Sequence, residues 1–214
     1  MNEADPAAPV TGLLLIVSAP SGAGKTSLVN ALLERESNLT VAVSHTTRPR
    51  RGSEQNGVNY HFVDQRTFAA LVAEDAFLEH ASVFGNQYGT SRRAVAEPIA
   101  NGRDVILEID FQGAAQIRTN YPSARSVFVL PPSRRELARR LERRGQDDAA
   151  VIARRLEEAR QEMSHYAEFD YVVVNDEFDT ALADLNAIVR AERLQCRYDS
   201  HRLGPLLDDL LSDG

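Results

Sequence analysis

Short apolar runs alternate along the chain with longer stretches whose apolar residues recur every three or four positions. The runs predict buried strands and the stretches predict amphipathic helices. Leu13 to Ser18 (L-L-L-I-V-S) is the first strand, followed by a Gly-rich turn and a helix from about Thr26 to Arg35. Leu39 to Ser44 is a second strand, and the polar residues 45 to 59 are a loop. Tyr60 to Val63 and Phe77 to Val83 predict shorter strands around a helix near Thr67 to Glu74. Arg92 to Asn101 has helical character but contains Pro98, which predicts a kink or an early end. Asp104 to Asp110 is the next strong strand, then come a helix from about Gln112 to Thr119 and a strand from Arg125 to Leu130. Pro131 and Pro132 end that strand, and Ser133 caps a helix to about Arg144. A long helix over about Asp148 to His165, a strand from Tyr171 to Val174 and a helix from Phe178 to Leu194 complete the pattern.

Strands alternating with helices predict an α/β fold, a three-layer sandwich on a central parallel sheet. Residues 45 to about 91 interrupt the alternation and predict an inserted lobe, leaving a core of about 12–44 and 92–195. Residues 1–11 are expected to be a disordered tail. Residues 196–214 are a C-terminal extension in which Leu203, Leu206, Leu207, Leu210 and Leu211 form one helical stripe, with Pro205 suited to the first turn. So short a helix is unstable alone in water, so the stripe is expected to dock on its own domain or on a second copy. It is too short and too acidic for a membrane anchor.

Composition narrows the class. The chain has 214 residues, 43% hydrophobic and 26% charged, an ordinary globular balance. Its net charge of −7 argues against a general nucleic-acid binder. The longest apolar run near the start, Leu13 to Val17, is far short of a membrane span. The opening residues hold Glu3 and Asp5 and no basic n-region, and the one cysteine, Cys196, cannot close an internal disulfide. These features point to a cytoplasmic protein.

The identity of the basic residues says more than their number. Of 24, only Lys25 is a lysine; the rest are arginines. That position needs a compact ammonium and not a planar guanidinium. It lies in A-P-S-G-A-G-K-T, comprising Ala19, Pro20, Ser21, Gly22, Ala23, Gly24, Lys25 and Thr26, followed by Ser27. The stretch sits between a strand and a helix and matches the P-loop G-x-x-x-x-G-K-[ST] except that Ala19 replaces the first glycine. Gly22 and Gly24 let backbone N–H groups turn inward around a phosphate, and the helix start adds its positive end. Lys25 reaches the β and γ phosphates and Thr26 supplies a hydroxyl for Mg²⁺. The bland alternative, a Gly-rich turn in an α/β protein, explains neither the pattern nor the lone lysine. The chain therefore points to a nucleoside triphosphate with Mg²⁺.

An N-K-x-D guanine motif of a GTPase is impossible, because the only lysine is already used. A small kinase remains, which needs an acceptor site and a mobile positive lid. Residues 134–160 hold nine arginines against six acids, which makes them the lid, although glutamate–arginine pairs along a solvated helix face would give a similar composition. The R-R-G of Arg143, Arg144 and Gly145 predicts a hinge within it. The hydroxyls and arginines of residues 44 to 60 (S-H-T-T-R-P-R-R-G-S-E-Q-N-G-V-N-Y) predict a phosphate clamp on the inserted lobe.

In this order and spacing the chain resembles the guanylate kinases. The resemblance runs from Leu13 to about Leu194. Beside the P-loop it rests on S-H-T-T-R, Gly57 with Tyr60 and Phe62, F-L-E at Phe77 to Glu79, G-N-x-Y-G-T at Gly85 to Thr90, E-I-D-F-Q-G at Glu108 to Gly113, P-P-S at Pro131 to Ser133, R-L-E-R-R-G at Arg140 to Gly145, and V-N-D at Val174 to Asp176. The resemblance implies a P-loop NTPase sandwich with an inserted GMP-binding lobe and a helical lid. It implies phosphorylation of GMP, and of dGMP, with ATP and Mg²⁺. Ser44, Arg48, Arg51, Tyr60 and Tyr88 would hold the GMP phosphate, and Glu79 and Thr90 would read guanine. Lys25 and the P-loop would hold the ATP phosphates, with Asn175 at adenine. Arg140, Arg144 and Arg155 would be the closing arginines, joining Lys25 and Arg48 as the catalytic set. Glu108 stands where the family has Asp, between a guanine and a metal role. Asp110 would line the GMP site with Glu108, and is also the residue that would reach Mg²⁺ through water. The Arg48 to Glu54 stretch is shifted against the family's R-x-P-R-x-G-E, leaving Arg50 and Arg51 as rivals for the second clamp; Arg51 is preferred.

Given that motif setting for Glu79, chemistry supports guanine. Guanine presents N1–H and N2–H₂ as adjacent donors, and an ionised carboxylate accepts both; adenine presents an acceptor at N1. Two rivals to this reading are a metabolite kinase on the same scaffold, such as a ribose-bisphosphate kinase, and a non-catalytic guanylate-kinase-like module that binds phosphopeptides in the GMP cleft.

Overall fold

The computed structural model of the chain describes residues 12–83, 85–143 and 149–212. The expected tail at 1–11 lies outside them.

The central sheet has the order β2 (Leu39–Val41), β7 (Asp104–Glu108), β1 (Leu14–Ser18), β8 (Arg125–Leu130), β9 (Tyr171–Val174). Every neighbouring pair is parallel. β1 is buried along its whole length because it is central and covered on both faces. Its alternate side chains feed two cores. Leu15 and Val17 pack with Leu28, Val29 and Leu32 of α1 (Lys25–Arg35) and with Leu182, Leu185 and Val189 of α7 (Phe178–Arg193). Leu14 and Ile16 pack on the other side with Val95 of α3 (Arg92–Ala100) and Ala114 and Ile117 of α4 (Phe111–Asn120). The result is a three-layer α/β sandwich, as the sequence predicts.

A second sheet of four strands is built wholly between residues 45 and 91, in the order β4 (His61–Phe62), β3 (His45–Thr46), β6 (Asn86–Ser91), β5 (Phe77–Val83). α2 (Gln65–Ala73) starts where the Asp64 carboxylate accepts from the Thr67 N–H at 2.7 Å. Over the P-loop lies α5 (Arg134–Arg143), whose Leu137 and Leu141 form a small core with Ala159 of α6 (Ala149–Met163). The expected hinge at Arg144 and Gly145 lies outside the described residues.

Several boundaries differ from expectation. β2 stops at Val41 and not Ser44, because the chain there crosses from one sheet to the other. Strand β6 is missed in a segment of Gly, Asn and Gln with weak strand propensity; it forms because β3 and β5 pair with it on either side. Helix α3 continues two residues past Pro98. The proline lies in the last turn, so its missing N–H removes one bond and breaks little. Asp110 is not on β7 beside Glu108: the strand ends at Glu108, and Asp110 is the N-cap of α4, accepting from the Gly113 N–H at 2.9 Å. The C-terminal helix α8 spans Cys196–Leu211, so Pro205 lies well inside it and not in its first turn. Leu206, Leu207, Leu210 and Leu211 are exposed, so docking of the stripe on its own domain is not what the structure shows.

Candidate active site

The two sheets face each other across a cleft of about 650 Å³. One wall is the turn after β1. Gly22 and Gly24 have φ of 93° and 94°, a left-handed conformation that glycine adopts without strain. Neither could carry a Cβ: at Gly22 it would approach Leu137 Cδ1 at 2.9 Å, and at Gly24 it would run into the Asn175 amide. Ala19, Pro20, Ser21, Gly22, Gly24, Lys25, Thr26 and Ser27 line the cleft, while Ala23 is buried and points away. The Thr26 hydroxyl donates to Glu108 Oε2 at 3.0 Å, which gathers hard oxygen donors beside the loop. Asp110 is on the same wall, with Oδ1 and Oδ2 accepting from the Gly113 N–H and the Gln112 amide.

The opposite wall is the second sheet. The S-H-T-T-R segment is pinned to β6: Thr46 Oγ1 donates to the Gln87 carbonyl at 2.9 Å, and Thr47 Oγ1 accepts from the Gln87 N–H at 2.9 Å. Arg48 is thereby buried at the cleft edge. Its guanidinium donates to Glu54 at 2.7 Å and lies 5.4 Å from the Tyr60 ring centroid. Glu54 also accepts from the Arg51 N–H at 2.8 Å, so one carboxylate shapes the whole arginine loop. The arginines hold the Glu54 carboxyl below its usual range despite its partial burial. Arg51 lines the cleft with Arg48, Ser44, Tyr60 and Tyr88. Burial pushes the Tyr60 phenol up to about 12, so it stays a donor at neutral pH.

Glu79 sits at the base of this wall, 3% exposed. A β-bulge between Phe77 and Glu79 breaks the alternation of β5, so Phe77, Leu78 and Glu79 are all buried in succession. The bulge turns Glu79 into the cleft. Its Oε1 accepts from Thr90 Oγ1 at 2.7 Å, and that hydroxyl is 3.1 Å from Ser44 Oγ. Thr90 is wholly buried and acts through this chain, without lining the cleft. Burial, and then the Asp110 carboxylate, raise the Glu79 carboxyl to about 7 against the opposing pull of Thr90 and Lys25. A carboxylate held this close to neutrality in a cleft is poised to gain from two ligand donors.

The helices expected to form the lid, α5 and α6, are only partly turned toward the cleft. Arg155 lines it, on a face of α6 that also carries Ala159 and Glu162. Arg140 does not: it donates to Glu136 at 2.8 Å, to the Asn175 carbonyl at 3.0 Å and to the Ala23 carbonyl at 3.4 Å, bracing the back of the P-loop. Arg139 and Arg160 pair with glutamates of their own helices, the solvated-face pattern that the composition also allowed, while Arg154 pairs with Glu158 at 3.5 Å and lines the cleft beside Arg155. Arg144 lies outside the described residues. Asn175, expected at adenine, is buried, and its side-chain amide donates to the Ala23 carbonyl at 2.7 Å. In this structure it ties β9 to the P-loop instead.

Two carboxylates, Glu54 and Glu162, are among the cleft residues that the sequence analysis does not mark. Glu54 has no periodic relation to Arg48, so nothing in the spacing marks it. Glu162 does leave a signal: it is seven positions after Arg155, hence on the same face of α6. Burial raises its carboxyl to about 7, with Lys25 opposing and Asp110 adding to the shift.

The chain is similar to known proteins over most of its length. The guanylate kinase family model matches residues 12–192. This chain belongs to the guanylate kinase family. The guanylate kinase of Alkalilimnicola ehrlichii is 60% identical over 94% of this chain and 98% of its own. That of Escherichia coli K12 is 56% identical over 94% and 99%. The crystal structure of guanylate kinase from Anaplasma phagocytophilum is 34% identical, with a TM-score of 0.78 over 95% of this chain and 98% of that one.

For a guanylate kinase built this way, the raised Glu79 carboxyl gives a pH prediction. If Glu79 is the guanine acceptor that the resemblance implies, its protonation below about 7 removes its capacity to accept both guanine donors. kcat/KM for GMP is expected to fall toward tenfold per pH unit on the acid side, a slope of about 1. Initial rates between pH 8 and 5.5 read it. In Glu79→Gln that limb disappears, while the titration of the GMP phosphate near about 6 remains. Glu162→Gln retains the limb if Glu79 carries it. Stability runs the opposite way. A carboxyl raised in the fold contributes fully below its ordinary 4.5 and loses that contribution as pH rises through about 7.

Proposed function

We propose that the enzyme binds ATP on the P-loop wall and GMP on the second sheet, and transfers the γ-phosphoryl group between them across the cleft. The observation that carries this reading is the Ser44–Thr90–Glu79 chain, a buried acceptor facing the only lysine. Glu79 accepts guanine N1–H and N2–H₂, and Thr90 fixes its carboxylate. Ser44, Arg48, Arg51, Tyr60 and Tyr88 hold the GMP phosphate, whose oxygen attacks the γ-phosphorus while the bond to the β–γ bridging oxygen breaks. ADP leaves with that electron pair. Lys25 holds the β and γ oxygens, and Arg155 approaches the transferring group from the lid.

Mg²⁺ fits the donors present. Thr26 offers a hydroxyl beside Glu108 and Asp110, all hard oxygens. Among the described residues no three acidic, histidine or cysteine side chains cluster tightly enough to hold a metal themselves. That suits a cation which keeps several waters and is held mainly by substrate phosphates. Thr26 would hold it directly and Asp110 through water, and it would supply positive charge beside the transferring phosphates.

A coupled assay offering GMP, dGMP, AMP, UMP and ribose bisphosphate tests the reading. GMP and dGMP are expected to turn over and the others to fail by about 10⁴-fold or more, since rejected bases leave Glu79 unpaired. Preferred turnover of ribose bisphosphate would establish the metabolite-kinase reading, and no turnover of any acceptor would establish the binding module.

A further inference from the structure

Gly113 is the third residue of α4 and is buried there. Glycine costs a helix interior about 1 kcal/mol relative to alanine, so its presence needs a reason. Its conformation supplies none: Gly113 is absent from the residues with positive φ. The reason is what faces it. A Cβ at this position would lie well inside 3.0 Å of Glu79 Oε2 and 3.1 Å from Glu79 Cδ, whereas its next neighbour, Ile109 Cβ, would be in ordinary contact at 3.4 Å. The missing methyl is therefore a notch shaped to one carboxylate.

We infer that Gly113 is a positioning residue for base recognition: its bare Cα seats the Glu79 carboxylate against α4, leaving Glu79 aimed at the purine edge. The inference rests on the reading of Glu79 as the guanine acceptor. The carboxylate is fixed from both sides. Oε1 accepts from Thr90 at 2.7 Å, and Oε2 lies in the notch. Neither side can yield cheaply. α4 is held by its Asp110 cap at Gly113 and by Ala114 and Ile117, both wholly buried. Thr90 is wholly buried and bonded onward to Ser44. A methyl at Gly113 must therefore rotate or push the carboxylate by on the order of 1 Å, enough to spoil a two-point hydrogen bond.

The test is a double-mutant cycle between Gly113→Ala and Glu79→Ala, with initial rates for GMP, for IMP (the same purine without the 2-amino group) and for ATP, and melting curves for all four proteins. Gly113→Ala is expected to raise KM for GMP by about 10- to 100-fold, to shrink the GMP-over-IMP preference, and to leave KM for ATP within about twofold. In the Glu79→Ala background it should change none of these, because no carboxylate remains to displace. A Gly113→Ala protein with unchanged KM for GMP overturns the inference. So does an equal effect in both backgrounds, which would make the glycine a general packing position. If Gly113→Ala alone does not fold, recovery of folding in the double variant supports the seat; failure of both overturns it. The underlying reading fails separately, if Glu79→Ala by itself leaves KM for GMP unchanged.

Discussion

Lys25→Arg is expected to lose about 10²-fold or more in kcat although the charge is kept. Lys25 opens α1 directly after the left-handed Gly24 and lines the cleft. Its ammonium reaches the centre of the site, where it opposes the upward shift of both Glu79 and Glu162. A guanidinium is wider, planar and forked, and suits two coplanar acceptors better than phosphate oxygens wrapped by a loop. The loop cannot open to admit it, because Leu137 and Leu141 are packed over Gly22 and Asn175 braces Ala23 from behind. Stability should change by no more than about 0.5 kcal/mol, since the side chain is part of a solvated wall and not of either core. Turnover near the native rate, measured with saturating ATP and GMP, would show that the site needs only a positive charge. The lone lysine in a chain of arginines would then be an accident of composition.

Features with a local cause were legible in the sequence. The P-loop is a contiguous string whose glycines, lysine and threonine each have one use, and β1, β8 and β9 carry short apolar runs at residues 14–17, 127–130 and 171–174. Ser133 announces its cap, and its hydroxyl accepts from the Glu136 N–H at 3.1 Å. What stayed hidden depends on partners distant in sequence. β6 exists because two other strands flank it. The motif implies Arg140 at the transfer site, and nothing within its own helix foretells its contacts with the Ala23 and Asn175 carbonyls. Asn175 likewise reaches back to a loop far earlier in the chain. The bulge that aims Glu79, the Thr90 bond that holds it and the notch at Gly113 come from three separate segments. The motif F-L-E marked the residue without showing how it is aimed.

Glu79→Gln is expected to lower kcat/KM for GMP by about 10²-fold or more while KM for ATP moves less than about twofold. The amide keeps the shape of the side chain and can still accept from Thr90. It then opposes an NH₂ to one of guanine's two donors, so a good contact becomes a repulsive one. The exchange has a second consequence that no simple packing role would produce. In the free enzyme burial, and then the nearby Asp110 carboxylate, raise the Glu79 carboxyl to about 7, and the single Thr90 hydroxyl bond only partly offsets them. The ionised form opposes folding at alkaline pH and becomes favourable only when a base supplies donors. The glutamine variant should therefore melt higher than the native protein at pH 8, and the difference should shrink toward pH 5 as the native carboxyl takes up its proton. Saturating GMP should reverse the order at pH 8 by stabilising the native enzyme far more than the variant. A variant that loses GMP and ATP binding alike, or that melts lower at pH 8, would mark Glu79 as a structural carboxylate. A gain in stability coupled to loss of GMP would show that the fold tolerates a poorly satisfied buried charge because the substrate completes it.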